Sequence, residues 1–505
     1  MNHLFSLIRS RMPALERTFI ETGDGRGISY GEILALSGRM ANTMCDLGVA
    51  PGDRVAVQVE KSPEAIALYL ACLRAGAIYL PLNPAYSLAE VAHYLQDAEP
   101  RLTICSPGSF EGIGKIASGV RTAVETLEAS GGGSFMAKTA QRAATFADTS
   151  RAAGDIAAIL YTSGTTGRSK GAMISHENLA CNALALTILW QFSRDDVLLH
   201  ALPIFHTNGL FVATNVVLLS AASMIFLPKF DAGEVMRLMP RATTMMGVPT
   251  FYVRLLRHPE LSRATAAHMR LFVSGSAPLL AETHAAWQQR TGHAILERYG
   301  LTETNINTSN PYGGDRRAGA VGLPLPGVSV RVTNPETGEA LAQGEIGMIE
   351  VKGPNVFKGY WRMPERTRTD FRADGFFITG DLGRFDSSGY LSILGRSTDL
   401  VISGGYNVYP KEVENEIDAV SGVAESAVIG LPHADFGEAV TAIVVKGGKT
   451  DIDEQTVLAA LASRLAKYKR PKRVLFVDDL PRNAMGKVQK NLLRARYKDL
   501  YASTV

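Results

Sequence analysis

The segment LYTSGTTGRSKG at positions 160–171 constrains the fold of this 505-residue chain more than any other. It opens on the apolar run IAAILY at 156–161, which reads as a buried strand. That strand empties into three glycines, five hydroxyl residues and two cations. Backbone N–H groups, hydroxyls and positive charge presented together at a strand end can wrap a polyphosphate. A plain surface loop of the same composition would leave Lys170 and the buried strand before it without a reason. A Walker A loop is excluded, because that motif needs Gly-Lys followed by Ser or Thr, and this chain has Ser169-Lys170-Gly171.

The chain before this loop alternates strand-like and helix-like patterns, as in DRVAVQVE at 53–60 followed by EAIALYLACLRAGA at 64–77. Such alternation predicts an α/β fold with a parallel sheet. Residues 122–153 turn to Ala, Gly, Ser and Thr and read as a surface connection. The uncharged stretch at 209–228 is long enough to span a membrane, but Asn215, Ser220 and Ser223 interrupt it, so a buried helix followed by a strand is expected. A β subdomain is expected around 328–353. Beyond it, helices at 411–419 and 454–466 and strands at 423–430, 439–445 and 473–477 predict a separate α+β unit. The expected domains are therefore 1–397, of α/β subdomains plus the β subdomain, and 398–505, small and α+β. With 46% hydrophobic and 20% charged residues, the chain can bury sizeable cores. A net charge of +3 is too small and dispersed for a nucleic-acid partner. Cys45, Cys72, Cys105 and Cys181 are too far apart for a metal cluster and fit a reducing, cytoplasmic setting without membrane attachment.

TSGTTGRSKG resembles the phosphate loop of the adenylate-forming superfamily, which contains acyl-CoA synthetases, luciferases and peptide-synthetase adenylation domains. Further signatures follow in that family's order: PIFHTNG at 203–209, SGSAPL at 274–279, ERYGLTET at 297–304, TGDLG at 379–383, GRSTDLVISGGYNVYP at 395–410 and PRNAMGK at 481–487. The resemblance implies an AMP-forming acid–thiol ligase using ATP, Mg²⁺ and coenzyme A. A carboxylate is joined to the α-phosphate of ATP, pyrophosphate leaves, and the CoA thiol attacks the mixed anhydride. By resemblance, Thr162, Ser163, Gly164, Thr165, Thr166, Gly167 and Lys170 surround the phosphates. Glu303 holds Mg²⁺, assisted by Thr165 or Thr302. Tyr299 lies against adenine, with Ser276, Ala277 and Pro278 on its other side and Glu297 and Gly300 in the same wall. Asp381 accepts from the ribose hydroxyls beside Arg396. Lys487 bridges the acyl carboxylate and the α-phosphate, where preorganised charge counts most. Gly404, Gly405, Tyr406 and Asn407 would form the pantetheine tunnel; a hairpin turn is their plainer reading. The small domain is expected to be mobile, rotating between the two steps about a hinge that is usually Asp or Lys and here is Thr398, with Asp399 after it. Acetylation of Lys487 would remove its charge, so a lysine acetyltransferase is an expected partner.

The acid pocket implied by the resemblance comprises His206, Thr207, Ser274, Arg298 and Ile306. A buried guanidinium needs a counter-anion, and a second carboxylate on the substrate would supply one bidentately. The expected substrate is then a small dicarboxylate, malonate or methylmalonate. If Arg298 instead pairs with Glu297 or another acid, a short monocarboxylate or an aryl acid becomes the alternative. A nucleotide-binding sensor or a phosphotransferase is the rival of another class, separable because neither yields AMP and pyrophosphate. The sequence carries no sign of oligomeric state.

Overall fold

The helix expected at 64–77 runs Pro63–Ala75, and its limits follow from its ends. The Ser62 side chain accepts from Ala65 N–H, Pro63 occupies the first turn, and Gly76 closes the last at φ 71°. Mostly apolar, it is buried on every face, with Glu64 and Arg74 among its buried residues. Around it a computed structural model describes residues 1–162, 169–448, 452–483 and 486–502.

Two large sheets carry the N-terminal region. One runs Ala123–Thr126, Leu102–Cys105, Arg54–Gln58, Ile78–Pro81, Ile156–Thr162 and Lys170–Ser175, with parallel neighbours except the last, antiparallel pair. The other is parallel through Leu296–Leu301, Leu271–Ser274, Thr244–Gly247, Val197–His200, Ser223–Phe226 and Thr18–Thr22, with antiparallel strands at both edges. Strands buried on both faces read as continuous apolar runs, as at 53–60 and 156–161; the strands Thr244–Gly247, Leu271–Ser274 and Leu296–Leu301 were not anticipated from the sequence. The 209–228 stretch forms a π-helical turn, Asn208–Thr214, the helix Asn215–Ser220 and the strand Ser223–Phe226, nearly all buried. No helix among the described residues is long and apolar enough to cross a membrane.

Residues 122–153 are not merely a connection. They add the edge strand Ala123–Thr126 and the helix Ser134–Thr139, which is anchored by the buried Phe135. Strand pairing, the buried Phe135 and side-chain bonds such as Ser134 to Glu125 and Asn42 to the carbonyls of Ala143 and Thr145 order a segment whose composition suggests a loop. The β subdomain is a four-stranded antiparallel sheet, Ser329–Thr333, Gly347–Lys352, Phe377–Phe385 and Leu391–Arg396. Beyond residue 400 a mixed sheet of Tyr406–Val408, Val401–Ser403, Gly437–Lys446, Val423–His433 and Arg473–Val477 separates two apolar clusters drawn only from this part of the chain. The helix expected to reach 466 stops at Leu461. Past it the Arg470 guanidinium donates to Ala462 O and Leu465 O, satisfying carbonyls that a longer helix would have used itself.

Candidate active site

Thr162 and Lys170 face each other across the hairpin at the edge of the first sheet. Ser163, Gly164, Thr165, Thr166 and Gly167 lie outside the described residues. Lys170 Nζ is 3.7 Å from Asp370 Oδ2 and 4.2 Å from the Tyr360 ring centre. Burial lowers its pKa. The Tyr360 hydroxyl donates to Glu303 Oε1 at 3.0 Å. Glu303 stands on the turn joining Leu296–Leu301 to Asn305–Ser309. That turn requires glycine at 300, where a Cβ would meet Asn305 O at 1.7 Å. Thr302 sits half-buried in the same turn, which is closed by Thr304, whose hydroxyl accepts from Leu301 N–H at 3.3 Å. The carboxylate of Glu303 beside a phosphate-side lysine is a hard-oxygen donor suited to Mg²⁺, an ion that takes one or two carboxylates and completes its shell with phosphate and water.

A second cluster hangs from the β subdomain, where Asp381 and Arg396 are register partners. The Tyr299 hydroxyl donates to Asp381 Oδ2 at 2.5 Å, and Arg396 Nε lies 2.9 Å from Asp381 Oδ1. Arg396 also donates to Thr379 O at 2.8 Å, and Asp381 N–H donates to Thr379 Oγ1 at 3.0 Å. Burial and the neighbouring carboxylate push the Tyr299 phenol far up, so it stays protonated. Although the Lys487 side chain reaches solvent, desolvation and the nearby Arg396 lower its pKa, opposed by Asp381 and Asp399. Its ammonium is thus in electrostatic range of this cluster. A Cβ on Gly486 would lie 3.2 Å from the Thr250 side chain, so the Lys487 loop rests on the helix Pro249–Leu256. Gly404 and Gly405 form the two-residue turn between Val401–Ser403 and Tyr406–Val408, at φ 59° and 81°. Their neighbours are Phe436, whose carbonyl accepts from Gly404 N–H, and Tyr468, stacked 4.8 Å from the exposed Tyr406.

The acid side is built differently. Glu297 and Arg298 are adjacent in a strand and point to opposite faces. Glu297 Oε1 accepts from Gly319 N–H at 3.0 Å, and burial pushes its carboxyl up to about 8. It is therefore not the partner of Arg298. Among the described residues no carboxylate or hydrogen bond holds the Arg298 guanidinium; its Nε is buried and unpartnered, and burial lowers its pKa to about 10. The guanidinium occupies room left by Gly275, where a Cβ would fall 2.4 Å from Arg298 Cζ. Thr207 Oγ1, Asn208 Oδ1 and Ser274 Oγ are likewise buried without partners. Ser274 is paired in register with Glu297, and Asn208 Nδ2 donates to Ser276 Oγ at 3.4 Å with Ser276 at φ 71°. Ala277 is half-buried and Pro278 exposed beyond it. Burial pushes His206 down to about 4, so the ring is neutral, 4.9 Å from Phe205. Ile306 is buried, its main chain tied to Asn182. The sequence reading missed Tyr360, Asp370 and Gly275. Gly275 was visible inside SGSAPL, whereas the other two reach Lys170 only through the fold.

The profile of the AMP-binding enzyme family matches residues 9–361, and that of the AMP-binding enzyme C-terminal domain matches 412–487. ATP-bound MatB from Rhodopseudomonas palustris is 61% identical over 99% of each chain, with a TM-score of 0.98; its apo structure, over the same shares, gives 0.87. A feruloyl-CoA synthase from Amycolatopsis sp. is 35% identical over 94% of each chain. A malonate–CoA ligase from Arabidopsis thaliana is 34% identical over 98% of this chain and 90% of its own. The chain belongs to the AMP-binding enzyme family. It is an AMP-forming acid–thiol ligase that uses ATP, Mg²⁺ and coenzyme A and passes through an acyl-adenylate.

Proposed function

We propose that the acid is malonate, with methylmalonate as a second substrate. Arg298 carries this reading. The curated relatives range over aryl, long-chain and dicarboxylic acids at 32–35% identity, and the 61% likeness to MatB supports the same reading as Arg298. An aryl acid would leave a buried guanidinium unpaired, at a cost of several kcal/mol by order of magnitude. The distal carboxylate of malonate can accept from it bidentately, while the Thr207 and Ser274 hydroxyls offer further donors.

In the first step Lys487 stabilises the charge that develops between the acid carboxylate and the α-phosphate. Asp381 accepts from the ribose hydroxyls, with Arg396 fixing its orientation. Glu303 would hold Mg²⁺, which neutralises charge on the phosphates when bound. For the thiol step the domain 398–505 turns about Thr398, within the short helix Ser397–Asp399, withdrawing Lys487 and bringing Gly404, Gly405 and Tyr406 inward. The difference between TM-scores of 0.98 and 0.87 to two structures of one relative supports two arrangements of a common fold. Four unpaired cysteines support a cytoplasmic setting, and acetylation of Lys487 would stop the first step by removing its charge. A panel of acids incubated with ATP and CoA tests the substrate. Malonyl-CoA, AMP and pyrophosphate are expected in equal amounts. Turnover of butyrate or ferulate with none of malonate would overturn the reading.

A further inference from the structure

One buried ionisable pair takes no part in the chemistry above. Lys61, 8% exposed, lies just before the buried helix Pro63–Ala75. Its amino group donates to His200 Nδ1 at 3.0 Å and to His200 O at 2.8 Å, and rests 4.2 Å from the Phe226 ring centre. No carboxylate pairs with it among the described residues, and burial pushes its pKa far down. His200 ends the strand Val197–His200, and its Nε2 lies 2.9 Å from Gly209 O. A carbonyl can only accept, so Nε2 carries the proton and Nδ1 presents the lone pair that Lys61 needs.

A buried amine with no acid beside it is a costly choice for mere packing. Its position gives a reason. His200 grips the chain at two points, at its own carbonyl, which also accepts from Leu227 N–H at 3.1 Å, and at Gly209. Between them runs the loop that carries His206, Thr207 and Asn208. The loop folds tightly on itself, since a Cβ at Gly209 would meet Pro203 O at 2.1 Å. The Thr207 hydroxyl and Asn208 Oδ1 are unpartnered; the loop is otherwise tied by Asn208 Nδ2, which donates to Ser276 Oγ at 3.4 Å, and by the Thr214 hydroxyl, which shares Gly209 O with His200. Lys61 also bridges the two large sheets, entering from the end of Arg54–Gln58 in one and holding the end of Val197–His200 in the other.

We propose that Lys61 and His200 form a positioning pair that sets the depth of His206, Thr207 and Asn208 in the acid pocket and so tunes which small acid is accepted. The proposal rests on the malonate reading, and neither residue touches the substrate. Lys61→Met keeps the length and removes the hydrogen bonds. Its kcat/KM for malonate should fall on the order of 10-fold to 100-fold, the cost of a small misplacement, with the malonate-to-methylmalonate ratio altered and the KM for ATP and CoA close to wild type. Two histidine variants guard against simple misfolding. His200→Gln can still donate to Gly209 O, whereas His200→Asn loses that strut and keeps the acceptor for Lys61. The Gln variant should stay closer to wild type in malonate KM. A lowered melting temperature with malonate kcat/KM and the acid ratio unchanged, or equal losses for acid, ATP and CoA, would reduce the pair to structural support and overturn the proposal. Failure of the malonate reading shows separately, as wild-type enzyme that makes no malonyl-CoA.

Discussion

On the nucleotide side of the site most polar groups already have protein partners: Tyr299 with Asp381, Glu303 with Tyr360, Lys170 with Asp370, and Arg396 paired in charge with Asp381 although its Nε makes no aligned hydrogen bond. On the acid side Thr207, Asn208, Ser274 and Arg298 all retain buried atoms without one. The first arrangement holds its shape before any ligand arrives and receives ATP by exchanging bonds. The second carries a standing cost of about 1–3 kcal/mol for each buried unsatisfied group. An acid that pairs with those groups recovers that cost, and one that cannot leaves it in place. On the proposed reading, discrimination between acids belongs to the unsatisfied half, while the other half serves every acid alike.

The largest effect should come from the residue proposed to serve both halves. Lys487→Ala should slow acyl-adenylate formation by a factor on the order of 10² to 10³ or more, measured as malonate-dependent pyrophosphate exchange. Thioester formation from supplied malonyl-AMP should survive, and equal loss in both half-reactions would break the two-arrangement scheme. Next comes Arg298→Leu. Stranding the distal carboxylate costs about 2–5 kcal/mol, or roughly 30-fold to several thousand-fold in kcat/KM for malonate. Butyrate should lose little, so a malonate-to-butyrate ratio unchanged by the mutation would place Arg298 on the satisfied side after all.

Gly275→Ala sharpens the same contrast at smaller size. Its Cβ would displace the guanidinium rather than the backbone, and a misplaced group costs on the order of 10-fold to 100-fold. That loss should appear for malonate and not for butyrate, with ATP binding intact. The smallest expected effect is none. Burial holds His206 near 4, so it gains no proton between about pH 5 and 8. The pH profiles of kcat/KM for malonate in wild type and His206→Gln should share one shape across that range. A limb that disappears with the histidine would show it titrating there.

Much of this architecture could be read along the chain, because local rules wrote it. The helix Pro63–Ala75 announces its ends through Ser62, Pro63 and Gly76. The strand Arg473–Val477 was expected at its observed bounds. The edge strand Ala123–Thr126 was missed, since only its parallel neighbour Leu102–Cys105 makes it a strand. Among the site residues, Asp381 and Arg396 stand in separate motifs that the antiparallel register of one sheet brings face to face.

The sequence by itself determined the chemistry. The glycine-, threonine- and lysine-bearing loop fed by a buried strand is a matter of residue type and spacing, and the roles proposed for Glu303, Asp381 and Lys487 follow from motifs shared with the adenylate-forming superfamily; both persist whatever surrounds them. What only the tertiary structure decided is who pairs with whom. It turned Glu297 toward Gly319 and away from Arg298, left Arg298 without an acid in the space beside Gly275, and set Lys61 against His200 across two sheets. The reason is physical. Whether a charge is buried, and whether a counter-charge reaches it, depends on groups brought together from distant parts of the chain, and no local pattern encodes a neighbour that is absent.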